Sequence, residues 1–164
     1  MKEIEKKFLL RALPQGLKNG IKIRQGYINV NCPEIRVRQQ GKGFYFTLKI
    51  REGFTREEIE VRISRRLFRE LWALTKRRRI RKTRYTLPHK RLTWEIDEFQ
   101  GFLERLIIVE VELPSESAEF SIPPTISHSI IADVTGDRHY NNKVLATRAC
   151  LNNAVRLHQA AFFV

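Results

Sequence analysis

The chain is predicted to be β-dominated, of α+β class: a barrel or strongly curled antiparallel sheet with one mid-chain helix and a helical C-terminus. Three observations carry that prediction. Seven or eight short segments alternate apolar and polar residues and are separated by turn residues. A single stretch repeats its apolar residues with helical spacing. The polar positions of the alternating segments are almost all ionisable, in same-sign pairs. At 164 residues the chain is long enough for one domain with its own core.

The elements follow in order. Lys2 to Arg11 alternates and stops at Ala12-Leu13-Pro14-Gln15-Gly16. Ile21 to Val30 is a second strand, broken by Asn31-Cys32-Pro33. Glu34 to Gln40 and Phe44 to Arg51 flank Gly41-Lys42-Gly43, a hairpin connection. Thr55 to Ile63 follows the Glu52-Gly53 turn. Ser64 is a helix N-cap, and Leu67, Phe68, Leu71, Trp72 and Thr75 share one face of a helix predicted from about Arg65 to Arg78. Strands resume over Ile80 to Leu87, Arg91 to Glu98 and Leu106 to Leu113. A helical tail is predicted from Tyr140 onward. With no repeat, linker or low-complexity tract, residues 1–146 form one domain and residues 147–164 its helical tail.

Composition bounds the function. Thirty-one Lys and Arg against 18 Asp and Glu give a net charge of +13, with an isoelectric point near 10.3 and a mean hydropathy of −0.39. That balance favours a polyanionic partner. No run approaches the ~18 apolar residues of a membrane-spanning helix. The first residues, Met1-Lys2-Glu3-Ile4-Glu5-Lys6-Lys7, hold no signal-peptide core. Two distant cysteines, Cys32 and Cys150, exclude a disulfide scaffold and suggest a cytoplasmic protein. The four histidines lack metal-ligand spacing.

Residues i and i+2 of a strand share a face. Acidic pairs at that spacing are Glu3/Glu5, Glu58/Glu60, Glu95/Asp97 and Glu110/Glu112; basic pairs are Lys22/Arg24, Arg36/Arg38, Lys49/Arg51 and Lys82/Arg84. One reading is a half-buried sheet with its charged face in water. The other is a barrel with apolar faces outward under helices and a charged lumen. Basic pairs grip phosphate oxygens; carboxylate pairs hold hard divalent cations. Together they suit a metal–polyphosphate complex. The run Lys76-Arg77-Arg78-Arg79 with Arg81 has the composition of a nucleic-acid patch, yet no nucleic-acid-binding motif accompanies it, and a basic last turn complements a helix dipole. Lys22, Arg24 and Arg51 belong at the mouth of such a lumen or in solvent.

The ordered motifs resemble the CYTH superfamily of triphosphate tunnel metalloenzymes, in particular the short bacterial inorganic triphosphatases. They are Glu3-Ile4-Glu5-Lys6-Lys7-Phe8, Arg36-Val37-Arg38, Thr47-Leu48-Lys49, Arg56-Glu57-Glu58-Ile59-Glu60 and Lys82-Thr83-Arg84-Tyr85. Trp94-Glu95-Ile96-Asp97-Glu98-Phe99, Val109-Glu110-Val111-Glu112-Leu113 and Val134-Thr135-Gly136-Asp137 complete the series. The resemblance implies a closed eight-stranded antiparallel β-barrel, or tunnel, with a charged lumen, outer helices and a C-terminal helix. It implies hydrolysis of a linear triphosphate with Mg²⁺ or Mn²⁺. By position, Lys7, Arg36, Arg38, Lys49, Lys82 and Arg84 would bind the triphosphate. Glu3, Glu5, Glu110 and Glu112 would hold metal. Glu58, Glu60 and Asp97 would be the catalytic carboxylates, with Glu95 a weaker member of that cluster.

Tripolyphosphate is the favoured substrate, with thiamine triphosphatase and class IV adenylate cyclase as rivals on the same fold. A basic nucleic-acid or polyphosphate binding module without turnover is the rival of another class. The expected partner is a small-molecule triphosphate rather than nucleic acid or membrane, for a monomer or homodimer. One departure stands out. The family's lysine after Tyr140 falls on Asn141, and Lys143 lies two places later.

Overall fold

The computed structural model describes residues 4–52 and 55–147. Its strands are β1 (Ile4–Leu10), β2 (Ile21–Asn29), β3 (Glu34–Gln40), β4 (Gly43–Glu52), β5 (Thr55–Arg62), β6 (Arg79–His89), β7 (Leu92–Phe99), β8 (Ile107–Leu113) and β9 (Ile130–Asp133). The helices are α1 (Arg65–Ala73), α2 (Pro124–Ser127) and α3 (Asn142–Leu145). All pairings are antiparallel, in the order β5-β4-β3-β2-β6-β7-β8-β1-β9.

Two predictions are corrected here. The sheet has nine strands rather than eight, and among the described residues it is not closed: β5 and β9 are its two edges. The ninth strand is only four residues long, Ile-Ile-Ala-Asp, too short to show alternation. Closure depends on pairing between strands far apart in the chain, which no local pattern encodes.

Alternation sorts the side chains as the sequence demands. One face of β1, β6, β7 and β8 packs Phe8, Leu10, Trp94, Ile96, Val109, Val111 and Leu113 into a core. Leu13, Leu17, Ala118, Phe120 and Ile126 cover it, the last from α2. The opposite face is charged along most of its length. It becomes apolar at one end, where Leu9, Tyr27, Ile80, Phe99 and Ile108 pack with Val134, Tyr140, Leu145 and Ala146. These C-terminal elements therefore seal that end of the charged face.

Helix α1 starts where predicted: Ser64 Oγ accepts from Leu67 N at 3.1 Å. It ends at Ala73, five residues before the predicted Arg78. Lys and Arg are good helix formers, so propensity alone does not stop it. The stop is geometric. Thr75 is fully buried, and its Oγ1 donates to Trp72 O at 2.8 Å; Arg77 then takes a left-handed φ of 66°. Buried Thr75 lies against β2, where a Cβ on Gly26 would meet Thr75 Oγ1 at 2.5 Å. Only glycine allows that approach. Arg79 donates to Trp72 O and to Thr75 Oγ1, so part of the basic run caps the helix C-terminus.

The helical tail is described only through Thr147. It contains a 3-10 turn, Arg138–Tyr140, and α3; the rest of the predicted helical tail, residues 148–164, lies outside the described residues.

Candidate active site

The charged face forms a cavity of about 440 Å³. Glu5, Arg36, Arg38, Lys49, Glu58, Lys82, Arg84, Glu110 and Glu112 line it, with Glu95, as the sequence predicts. Lys7, Glu60 and Asp97 sit behind these residues and bond to them. Glu3 lies outside the described residues.

The ionic groups fall into two walls. One belongs to β1, β6, β7 and β8. Lys7 Nζ pairs with Glu110 at 2.9 Å and Glu5 at 3.3 Å. Lys82 Nζ pairs with Asp97, and Arg84 Nε and Nη2 bond Asp97 at 2.7 and 2.6 Å. Arg84 also pairs with Glu95 and reaches Glu110 at 3.5 Å. This wall is deep: the side chains of Lys82 and Asp97 are 3% and 1% exposed.

The second wall belongs to β3, β4 and β5. Arg36 Nη2 reaches Glu58 at 3.2 Å and Glu60 at 3.3 Å, Arg38 reaches Glu60 at 2.8 Å, and Lys49 reaches Glu58 at 2.5 Å. Thr47, fully buried, donates to Glu60 at 2.8 Å. Ile23 and Gln25 of β2 lie between the walls.

The electrostatics match this layout. Burial alone would raise the Asp97 carboxyl, but Lys82 and Arg84 outweigh it and hold it below the usual range. Glu110 is likewise lowered by Lys82 and Lys7 against its burial. Burial would also raise Glu60, and its bond from Thr47 and the charges of Arg38 and Arg36 lower it instead. Glu5 moves the other way, up to about 7, through burial and the charge of Glu110. Lys7 does not fully offset that repulsion, and Glu5 stands directly opposite Glu112 in the β1–β8 ladder.

No group of three or more metal-capable side chains converges among the described residues. The donors still fit a hard cation. They are all carboxylate oxygens, and the excess negative charge around Glu5 is what a divalent ion neutralises. Arg38 Nε is a buried donor at the cavity without a hydrogen-bond partner among the described residues, and a bound acceptor would satisfy it.

Several lining residues were not predicted: Gln25 of β2, Asn142 of α3, Arg91 of the β6–β7 turn, and Leu92 and Thr93 at the start of β7. Gln25 reaches the cavity by alternation with Ile23, and Asn142 by tertiary packing of α3. Asn142 Oδ1 accepts from Lys82 at 3.2 Å. Lys143 does not line the cavity; it pairs with Glu34 at 3.1 Å and ties α3 to β3. The Lys22/Arg24 pair faces away from the cavity, and the Arg24 guanidinium lies 5.0 Å from the Phe68 ring and 5.2 Å from Trp72.

An antiparallel sheet that sets two three-cation walls with their carboxylates around one cavity has the cations a phosphate chain needs and the oxygen donors a hard cation takes. The family model for the CYTH domain matches residues 1–140, and the chain belongs to that family. It is 42% identical over 152 residues to an inorganic triphosphatase of Nitrosomonas europaea, covering 89% of this chain and 97% of the relative. It is 38% identical over 148 residues to an inorganic triphosphatase of Acetivibrio thermocellus, covering 88% and 92%. A crystal structure of an inorganic triphosphatase superposes with a TM-score of 0.70 at 38% identity, covering 89% of this chain and 95% of the other. A putative adenylate cyclase of Bacillus halodurans, at 17% identity and a TM-score of 0.51 over 70% of this chain and 80% of its own, shares the fold.

Proposed function

We propose that this protein hydrolyses a linear triphosphate, with inorganic tripolyphosphate as substrate and pyrophosphate and phosphate as products. The observation that carries this reading is the single cavity flanked by two cationic walls, with the buried Arg38 Nε left for an acceptor. Relatives that cover nearly the whole chain are inorganic triphosphatases, which supports the same chemistry.

In phosphoryl transfer a protein mainly positions groups and stabilises charge. Lys7, Lys82 and Arg84 on one wall, and Arg36, Arg38 and Lys49 on the other, would grip the phosphate chain and neutralise the departing pyrophosphate. Glu5, Glu110 and Glu112, with Glu3, would hold Mg²⁺ or Mn²⁺. When bound, the ion supplies Lewis-acid polarisation of phosphate oxygens and a more acidic water. Glu58 and Glu60, with side chains 28% and 30% exposed, reach solvent from the wall away from the proposed metal ligands and would orient water and accept its proton. The water oxygen bonds the terminal phosphorus as the bridging P–O bond to pyrophosphate breaks. Asp97 is a positioning residue: its oxygens are committed to Lys82 and Arg84. The sparse cysteine usage supports a cytoplasmic setting.

The test is phosphate release from tripolyphosphate, ATP and thiamine triphosphate in parallel, with Mg²⁺, with Mn²⁺ and with EDTA. Metal-dependent turnover fastest on tripolyphosphate is expected. Preference for ATP or thiamine triphosphate would move the substrate to that compound. No turnover on any of the three would overturn the enzymatic reading.

A further inference from the structure

The outward face of the sheet carries a second cationic cleft. Alternation along β2 and β6 turns Lys22, Arg24 and Arg81 away from the active cavity, and Arg24 and Arg81 are direct ladder partners. With Gln39, Gln100 and Gly41 they line a cleft of about 680 Å³, which Ile23 and Lys82, shared with the active cavity, also border. Here the two faces of the sheet differ in kind. In the active cavity Lys7, Arg36, Arg38, Lys49, Lys82 and Arg84 each face a carboxylate. No carboxylate lines the outer cleft among the described residues.

The central cation is pre-organised. Arg24 is half-buried against Phe68 and Trp72, and its Nε donates to Gln39 Oε1 at 2.6 Å. That bond fixes the guanidinium plane, and its Nη atoms make no hydrogen bond within the described residues. Burial, and then the charges of Arg81 and Arg65, lower the Arg24 pKa, as uncompensated like charges do. Trp72 is also engaged by two guanidinium groups, from Arg24 at 5.2 Å and Arg79 at 4.4 Å, and by the stacked Phe68 ring at 5.4 Å. The ring is thus committed to arginine, and the cleft offers charge rather than a stacking platform for bases.

We propose that Lys22, Arg24 and Arg81 form a second, metal-independent binding site for an oligophosphate anion on the outer face of the sheet. A compact ligand with several negative oxygens would satisfy three neighbouring cations that have no carboxylate partner among the described residues. A planar guanidinium with its Nη edge free suits phosphate oxygens in particular. The site does not depend on the proposed hydrolysis, because it needs neither the metal nor the carboxylates of the cavity.

Equilibrium dialysis of tripolyphosphate against the full chain, in EDTA and low salt, tests it. Wild type is expected to bind about two anions per chain by the charge-assisted bonding of both faces. Lys22→Gln/Arg81→Gln alters two exposed side chains; it should lose the outer class, weakened at least about tenfold, and keep metal-dependent turnover. Arg38→Ala should keep the outer class. Three results would overturn the proposal: one binding class in wild type that Arg38→Ala removes, two classes retained in Lys22→Gln/Arg81→Gln, or tight binding of duplex DNA at this face without tripolyphosphate binding. Loss of turnover with two binding classes intact would count against the hydrolytic reading alone.

Discussion

The two walls of the active cavity hold similar ions at different depths. On the wall built by β1, β6, β7 and β8, Lys82 and Asp97 are almost fully enclosed. The reverse side of those strands is packed under Phe120, Ile126 and their neighbours. On the wall built by β3, β4 and β5, Glu58 and Glu60 keep 28% and 30% of their side chains open. The reverse side of β5 is thinly covered, with Ile59 and Val61 at 49% and 46% exposure, while α1 packs over β3 and β4, where Val37 is fully buried. The first wall therefore holds one nearly enclosed pair, Lys82 with Asp97, beside open carboxylates at Glu5 and Glu95, 39% and 38% exposed; the second wall holds no pair so enclosed among the described residues. Breaking an enclosed pair leaves a charge without solvent, whereas an open pair exchanges its partner for water. The buried wall should couple fold to function, and the open wall should serve function with little effect on the fold.

The largest effect expected is from Asp97→Ala. It removes the ion partner of the enclosed Lys82 and leaves Arg84 with Glu95 and Glu110 alone, and should cost about 3–5 kcal/mol of stability, read as a lower denaturant midpoint, together with loss of turnover. A midpoint equal to wild type would break the contrast between the walls. Gly26→Ala should cost about 1–3 kcal/mol by forcing β2 away from Thr75, also read by denaturant unfolding, with the cavity residues unchanged.

Acid should weaken the buried Asp97 cluster only below the ordinary carboxylate range. The folded Asp97 pKa is depressed, so its contribution is fully present above the ordinary aspartate value of about 3.9 and is lost as pH falls through the lower folded value. The stability gap between wild type and Asp97→Asn should shrink as pH drops from neutrality below about 4, measured by urea unfolding at each pH. A gap that widens toward acid would reverse the assignment. The smallest effect belongs to Lys143→Ala. Its ion pair with Glu34 is partly exposed and should contribute less than about 1 kcal/mol, with near wild-type kcat, because Lys143 does not line the cavity.

Much of this was legible in the chain because strand alternation is a two-residue rule. It placed Arg36 with Arg38, Lys82 with Arg84, and Glu110 with Glu112 on common faces before any fold was known. Gly41-Lys42-Gly43 marked the β3–β4 hairpin, and Ser64 marked the start of α1. What stayed hidden was set at longer range. The face of Lys22 and Arg24 depended on which side of β2 met the cavity. The end of α1 depended on Thr75 packing against Gly26. Asn142 reaches Lys82 from 60 residues away in sequence, and the open edges at β5 and β9 follow from pairing alone.

The central claim is that the solvent-facing wall grips the same phosphate chain as the buried one. Tripolyphosphate turnover by Arg38→Ala tests it most directly, with the denaturation midpoint measured on the same sample. Losing one charge-assisted phosphate contact should lower kcat/KM by roughly 10- to 100-fold, while the midpoint stays at the wild-type value. Wild-type kcat/KM in a folded Arg38→Ala protein would contradict it.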